Sequence, residues 1–143
     1  MDKPKRKSDS CLDYHQCRNF LQEKYKYDER DYGGKYKFLN DVQTKINKNY
    51  GKSWFDKAPE DFTKKEQKAH DEYETLIKDT PEYLDFWHWV CDTYQIHNGC
   101  FITFDNHWLE GTNIKEDWIR IIYKYYIDEF ANKDGELRMY VWW

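Results

Sequence analysis

Four cysteines and five histidines include two groups whose residue types suit a metal, Cys11-His15-Cys17 and Cys91-His97-Cys100. Zinc takes four Cys or His ligands in a tetrahedron, so the two triplets would close one site if a first helix met the 91–100 turn. Their spacings, C-x5-C and C-x8-C, are not those of structural zinc knuckles, and on a helix Cys17 turns away from Cys11 and His15. The expectation is reduced thiols and no cofactor, with zinc held by Cys11, Cys17, Cys91, Cys100 and His15 or His97 as the open alternative.

Two acid–histidine pairs have the spacing of a general base and its orienting carboxylate: Asp85 with His88, and Asp105 with His107. Neither comes with a nucleophile elbow, a phosphate-binding loop or a dinucleotide glycine pattern. Asp134 and Glu136-Leu137-Arg138 resemble a metal-dependent nuclease arrangement, but the acids are too close and arginine stands where lysine belongs. The expectation is a non-enzymatic protein, with a small histidine-dependent enzyme as an alternative.

Binding chemistry is better represented. On a helical wheel for residues 80–94, Tyr83, Leu84, Phe86, Trp87, Val90, Cys91 and Tyr94 share one broad face, with Asp85, His88, Trp89 and Asp92 on the other. Trp89 among carboxylates is a candidate exposed anchor, unless another element covers it. On a helix near 114–131, Tyr123, Tyr126 and Phe130 belong to a second apolar face beside that of Ile114, Trp118, Ile121, Ile122 and Tyr125. Such a helix is either central or exposes one face to a partner or a second copy. Asp85, His88, Trp89, Asp92, Tyr123, Tyr126 and Phe130 are the candidate partner-binding residues. Tyrosine and lysine also interleave at Tyr25-Lys26-Tyr27, Tyr36-Lys37-Phe38 and Tyr123-Lys124-Tyr125-Tyr126, the combination that single-stranded nucleic acid uses.

These residues need elements to hold them. Residues 1–9, with Lys3, Lys5, Arg6 and Lys7, read as a flexible basic arm, and residues 10–143 as one globular domain. Ser10 is the expected cap of a first helix that pairs with a second at 36–50, which Gly51 ends. Thr63-Lys64-Lys65-Glu66 opens a third helix, Asp79-Thr80-Pro81-Glu82 a fourth, and Asn113-Ile114-Lys115-Glu116 a fifth. Strands are expected at Cys100–Phe104 and, from the alternation of Leu137, Met139 and Val141 with Arg138 and Tyr140, at the end of the sequence. The fold class is α+β, mostly helical with about five helices and a small C-terminal two-stranded β element whose strand direction stays open.

Composition narrows the class. In 143 residues there are 28 aromatic, 23 basic and 27 acidic side chains. Leu, Ile, Val and Phe number 27, just under one-fifth, but 13 Tyr and 7 Trp restore buriable area and predict an aromatic core. No stretch is long and apolar enough for a membrane span or a signal peptide, so a cytoplasmic protein is expected. Residues 1–50 carry 12 basic and 8 acidic side chains and residues 51–143 carry 11 and 19, which disfavours a uniformly basic nucleic-acid binder and suits an acidic surface facing a basic partner. Three alanines amid abundant Lys, Asn, Asp, Tyr and Ile fit an AT-rich coding sequence. In size, aromatic load and lack of a catalytic pattern the chain resembles small accessory proteins of phages. That resemblance implies an inhibitor in the host cytoplasm that occupies a host defence protein, such as a nucleic-acid-binding complex. The alternative from another class is binding of single-stranded nucleic acid or a nucleotide by the Tyr/Lys-rich N-terminal half.

Overall fold

The computed structural model describes residues 2–6 and 11–143. Leu12–Asp13 form a two-residue strand, β1, and α1 (Tyr14–Tyr25) follows at once because Asp13 caps it, its Oδ1 accepting from the Gln16 N–H at 2.9 Å. The cap expected at Ser10 lies outside the described residues. The helix starts later than expected because Leu12 and Asp13 pair with Met139 and Tyr140. There follow α2 (Glu29–Tyr32), α3 (Gly34–Tyr50), α4 (Lys64–Leu76), α5 (Phe86–Tyr94), β2 (Cys100–Asp105), α6 (Asn106–Glu110), α7 (Asp117–Phe130) and β3 (Glu136–Val141). The fold is α+β and mostly helical, with seven helices among the described residues, five of them seven residues or longer.

The sheet has three strands in the order β1-β3-β2, with β3 parallel to β1 and antiparallel to β2. The two expected strands are therefore joined by a third, too short to show any alternation in sequence. Period-two geometry sends Leu137, Met139 and Val141 of β3 and Ile102 and Phe104 of β2 to one face, where all are buried. That face packs on α7, which is central. Tyr123 and Tyr126 are fully buried, Phe130 nearly so, and Ile121 is the one large apolar side chain of α7 among the exposed ones. The expectation of an exposed Tyr123, Tyr126 and Phe130 face, open to a partner or a second copy, is corrected: this chain's own sheet, α1 and α5 fill it. Tyr14 of α1 and Phe86 of α5 both stack on Tyr126, with ring centroids 5.6 and 5.5 Å away.

A smaller cluster of Val42, Ile46, Trp54 and Ala69 joins α3 to α4. Here the expected hairpin partner is corrected, since α3 packs on α4 while α1 packs on α7 and the sheet. Thr63 makes the expected capping box, accepting from the Glu66 N–H at 3.2 Å while Glu66 Oε1 accepts from the Thr63 N–H at 2.9 Å. Trp54 pins the connecting segment, its Nε1–H donating to Asn47 Oδ1 at 2.9 Å.

Two helix starts differ from expectation. α5 begins at Phe86 with Asp85 as cap, because the preceding carbonyls of Tyr83 and Leu84 accept from Lys35 and Tyr36 at the start of α3. α7 begins at Asp117, because the Ile114 carbonyl accepts from the Arg120 guanidinium and Glu116 takes the Trp118 indole N–H at 2.7 Å instead of reaching back to Asn113. At the joint between α2 and α3, Gly34 has φ +84°, and a Cβ there would stand 2.7 Å from the Leu84 carbonyl oxygen. In the segment expected to be a flexible arm, Arg6 donates to the Phe130 carbonyl at 3.0 Å and Lys3 lies 3.8 Å from Glu129. No helix among the described residues is long and apolar enough to cross a membrane.

Candidate functional site

The expected patch on α5 does not form one surface. The helix has nine residues, and Phe86, Trp89 and Val90, at i, i+3 and i+4, are its buried face. Trp89 is 4% exposed, edge-on to Trp108 of α6 and Tyr123 of α7. Tyr83 and Leu84, which pull the wheel's apolar face away from Trp89, are not helical; the helix proper turns Phe86, Trp89 and Val90 inward, so Trp89 as an exposed anchor is corrected. Asp85 is buried as the cap and accepts from the His88 N–H at 2.8 Å, with His88 Nδ1 a further 2.8 Å contact. His88 and Asp92 alone face outward, Asp92 accepting from the Tyr83 hydroxyl at 3.1 Å.

The opposite side of the sheet provides the apolar surface that α5 lacks. Phe101 of β2 and Tyr140 of β3 are register partners with ring centroids 5.1 Å apart, and the Arg138 guanidinium lies 4.5 Å from the Phe101 ring centroid. Trp142, just past β3, donates its indole N–H to Asp13, the β1 partner of Tyr140. Phe101 is 45% exposed and Trp142 48%. Strand β2 is at the edge of the sheet. An aromatic row thus runs from β2 across β3 to Trp142, which is tied to β1 through Asp13, its inner neighbours fixed by the core beneath. Only the period-two alternation of β3 hinted at it, and the sequence reading did not separate its outward set as a site.

A second constellation was missed altogether. Asp28 caps α2, accepting from the Arg30 N–H at 2.8 Å and from the Arg30 guanidinium at 3.1 and 3.3 Å. Gln22 Oε1 accepts from the Glu29 N–H at 2.8 Å, and this pair of contacts at the helix start sets Glu29 inward, 3% exposed. Glu29 Oε1 accepts from the Tyr126 hydroxyl at 2.6 Å, while its Oε2 is buried with no hydrogen-bond partner. Burial pushes the Glu29 carboxyl up to about 7, with Asp85 and Asp28 raising it further against the Tyr126 hydrogen bond and Arg18. The hydroxyls of Tyr14 and Tyr27 beside it are held protonated, chiefly by burial. Glu29 lines a cleft of about 320 Å³ together with Arg18, Trp87 and Asp85. Of the sequence candidates, the structure brings Asp85 and Tyr126 to this cleft and its floor, with His88 attached through Asp85.

The remaining candidates have other duties. Asp105 caps α6 through the Trp108 N–H at 3.2 Å. Among the described residues no group of three or more Cys, His, Asp or Glu is placed to hold a metal, so the two Cys/His triplets do not converge. Burial raises the Cys17 thiol to about 12 and the Cys91 thiol to about 11, so neither is a ready nucleophile. In the tyrosine–lysine segments, Tyr25 stacks on Tyr125 at 4.1 Å and donates to Glu129, and Tyr27 packs against Tyr32, which leaves Tyr36 as their exposed ring. No protein-family model matches the chain, and neither do the curated proteins or solved structures compared with it.

Proposed function

We propose that this chain is a non-enzymatic binding protein that covers part of a protein partner with the outer face of its sheet, the partner aligning an extended segment along β2. The observation that supports this reading is the row of exposed Phe101 and Trp142 with half-buried Tyr140 beside them and Arg138 alongside, held on the outer face of the sheet. Large aromatic side chains and arginine are the residues that dominate interface energetics, and an edge strand offers backbone donors and acceptors to an added strand. A nucleic-acid strand on the same face has less support, because Arg138 stands beside Glu136 and Asp105 and no row of lysines accompanies it. In its finer form the proposal makes the partner a basic, nucleic-acid-binding host complex and this chain its phage-type inhibitor, for which the net charge of −8 over residues 51–143 supplies electrostatic steering.

The test is affinity capture from host lysate with wild type and with the Phe101→Ser/Trp142→Ser double variant, each with and without nuclease. The expected result is a stoichiometric protein that survives nuclease with wild type and is lost from the double variant. Retention by a folded double variant, or loss of every partner after nuclease, overturns the reading. If the double variant melts early, Phe101→Ser alone decides.

A further inference from the structure

The segment that carries Glu29 is held to the body by side chains. Tyr27 N–H donates to the Gln22 carbonyl at 3.2 Å and Lys35 N–H to the Tyr83 carbonyl at 2.8 Å. Between these two anchors, no backbone–backbone hydrogen bond among the described residues runs from 28–33 to α1, α5 or α7, and the Asp31 and Tyr32 N–H groups both donate to the Asp28 carbonyl within the segment. A four-residue helix has too few internal bonds to persist without its tertiary contacts. Those contacts are the Glu29 N–H on Gln22 Oε1 at 2.8 Å, the Tyr32 hydroxyl 3.2 Å from that of Tyr125, and the Tyr126 hydroxyl donating to Glu29 Oε1 at 2.6 Å. The last of them fixes a carboxyl whose other oxygen, Oε2, is sealed from solvent with no hydrogen-bond partner. In that position a neutral acid is tolerated far better than a carboxylate, which needs donors or water. Since the closed structure lets no water reach Oε2, hydrating the ionised group requires the segment to lift. The chain has left-handed turns at both ends of it, Lys26 with φ +57° and Gly34 with φ +84°.

We propose that residues 27–33 are a pH-set latch: with Glu29 protonated the segment stays shut on Tyr126, and ionisation of Glu29 raises the population of an opened form in which water reaches the carboxylate and the hydroxyls of Tyr14 and Tyr126. The latch is independent of the partner on the sheet face. Burial holds the closed carboxyl up at about 7, against about 4.5 once it is hydrated. Opening is therefore hardest below about pH 4.5, becomes easier as pH rises to about 7, and is level beyond. The charged and titratable groups around Glu29 are Arg18 and Tyr14 from α1, Tyr27 and Asp28 before α2, Asp85 before α5 and Tyr126 from α7. Two histidines stand one step further out, His88 against Asp85 at 2.8 Å and His15 beside Arg18 on α1.

The experiment is native-state hydrogen exchange of the full chain at pH 5, 6, 7 and 8, read as protection factors for the amides of 29–32 and of β3. The amides of 29–32 are expected to be less protected than those of β3 at every pH, because they open without the sheet. Their protection is expected to fall roughly fiftyfold from pH 5 to pH 8, most of it before pH 7. Glu29→Gln should hold them near the pH 5 level throughout. His88→Gln and His15→Gln should each keep the wild-type profile, and they decide the matter if the Glu29 variant does not fold. Four results overturn the proposal: a flat profile in wild type, a profile that survives in folded Glu29→Gln, one that disappears with either histidine, or amides of 29–32 as protected as those of β3. The last would mean that Glu29 meets water only when the whole molecule unfolds.

Discussion

The two hydrophobic clusters differ in what they hold up. The sheet-backed cluster has nineteen buried residues drawn from all three strands and from α1, α5 and α7, and both candidate sites are built on it. The α3–α4 cluster has four buried residues and carries neither. A region with few buried apolar contacts opens at lower free energy than the whole molecule. The difference therefore predicts that the α3–α4 pair is a locally unfolding appendage, while the sheet, α5 and α7 unfold only together and take both sites with them.

The largest expected effect is at Phe104, fully buried and stacked 4.4 Å from Tyr123 with Phe86, Tyr94 and Tyr126 also around its ring. Phe104→Ala should cost about 3–5 kcal/mol in chemical denaturation, with Trp87, Trp89, Trp108 and Trp118 of the sheet-backed cluster reporting one shifted transition and Trp54 of the α3–α4 cluster not following it. If Trp54, isolated by replacing the other tryptophans with Phe, shifted by the same amount, the two clusters would be one cooperative unit and not ranked as argued.

Next comes Glu29, a polar group lodged inside the larger cluster. Its folded carboxyl titrates near 7 and an unfolded one near 4.5, so the folded state binds the proton more tightly. That contribution to stability is complete below about pH 4.5, is lost as pH rises through 7, and is level beyond. Glu29→Gln removes the loss. The variant should match or trail wild type at pH 4.5 and exceed it by about 3–4 kcal/mol at pH 8, the rise from 4.5 to about 7 converted at 1.36 kcal/mol per pH unit. Thermal melts of both proteins from pH 4.5 to 8 check this, and a variant with constant offset would mean that Glu29 is not held as described.

Much of this framework is legible in the sequence where local chemistry decides it. Gly51 ends α3, Thr63 and Glu66 open α4, and the alternation of Leu137, Met139 and Val141 gives β3 its inner face. Legibility fails where distant groups take over local ones. Pro81 sits in a segment whose carbonyls serve α3, and the Ile114 carbonyl that would have entered a helix is claimed by Arg120. Trp89 follows from the first of these, since a helix that begins at Phe86 has Phe86, Trp89 and Val90 as its buried face. Glu29 has no local signal at all: Asp28-Glu29-Arg30-Asp31 reads as a solvated charge run, and only the Tyr126 hydroxyl, 97 residues away, marks one of its carboxylates as internal.

A smaller effect probes the appendage. Thr63→Ala removes one half of the capping box and should cost about 1 kcal/mol. Native-state hydrogen exchange should place that loss in the amides of 64–76 and the adjoining α3, leaving those of β3 unchanged. Equal acceleration in β3 would join the two clusters into one cooperative unit.

The smallest stability effect belongs to the residue on which the proposed function leans most. Phe101 is on the outer face, its ring open to solvent but for Tyr140 and Arg138, while its strand neighbours Ile102 and Phe104 anchor β2 from the other side. Removing it leaves no cavity in either cluster, so Phe101→Ser should change stability by about 0.5 kcal/mol or less. Partner capture should nevertheless fall steeply, because interface energy concentrates in such exposed aromatic anchors. A residue that matters to binding and not to folding separates the surface from the core that presents it. The opposite pattern, a destabilised fold with capture intact, would assign the ring to the structure and move the interface elsewhere.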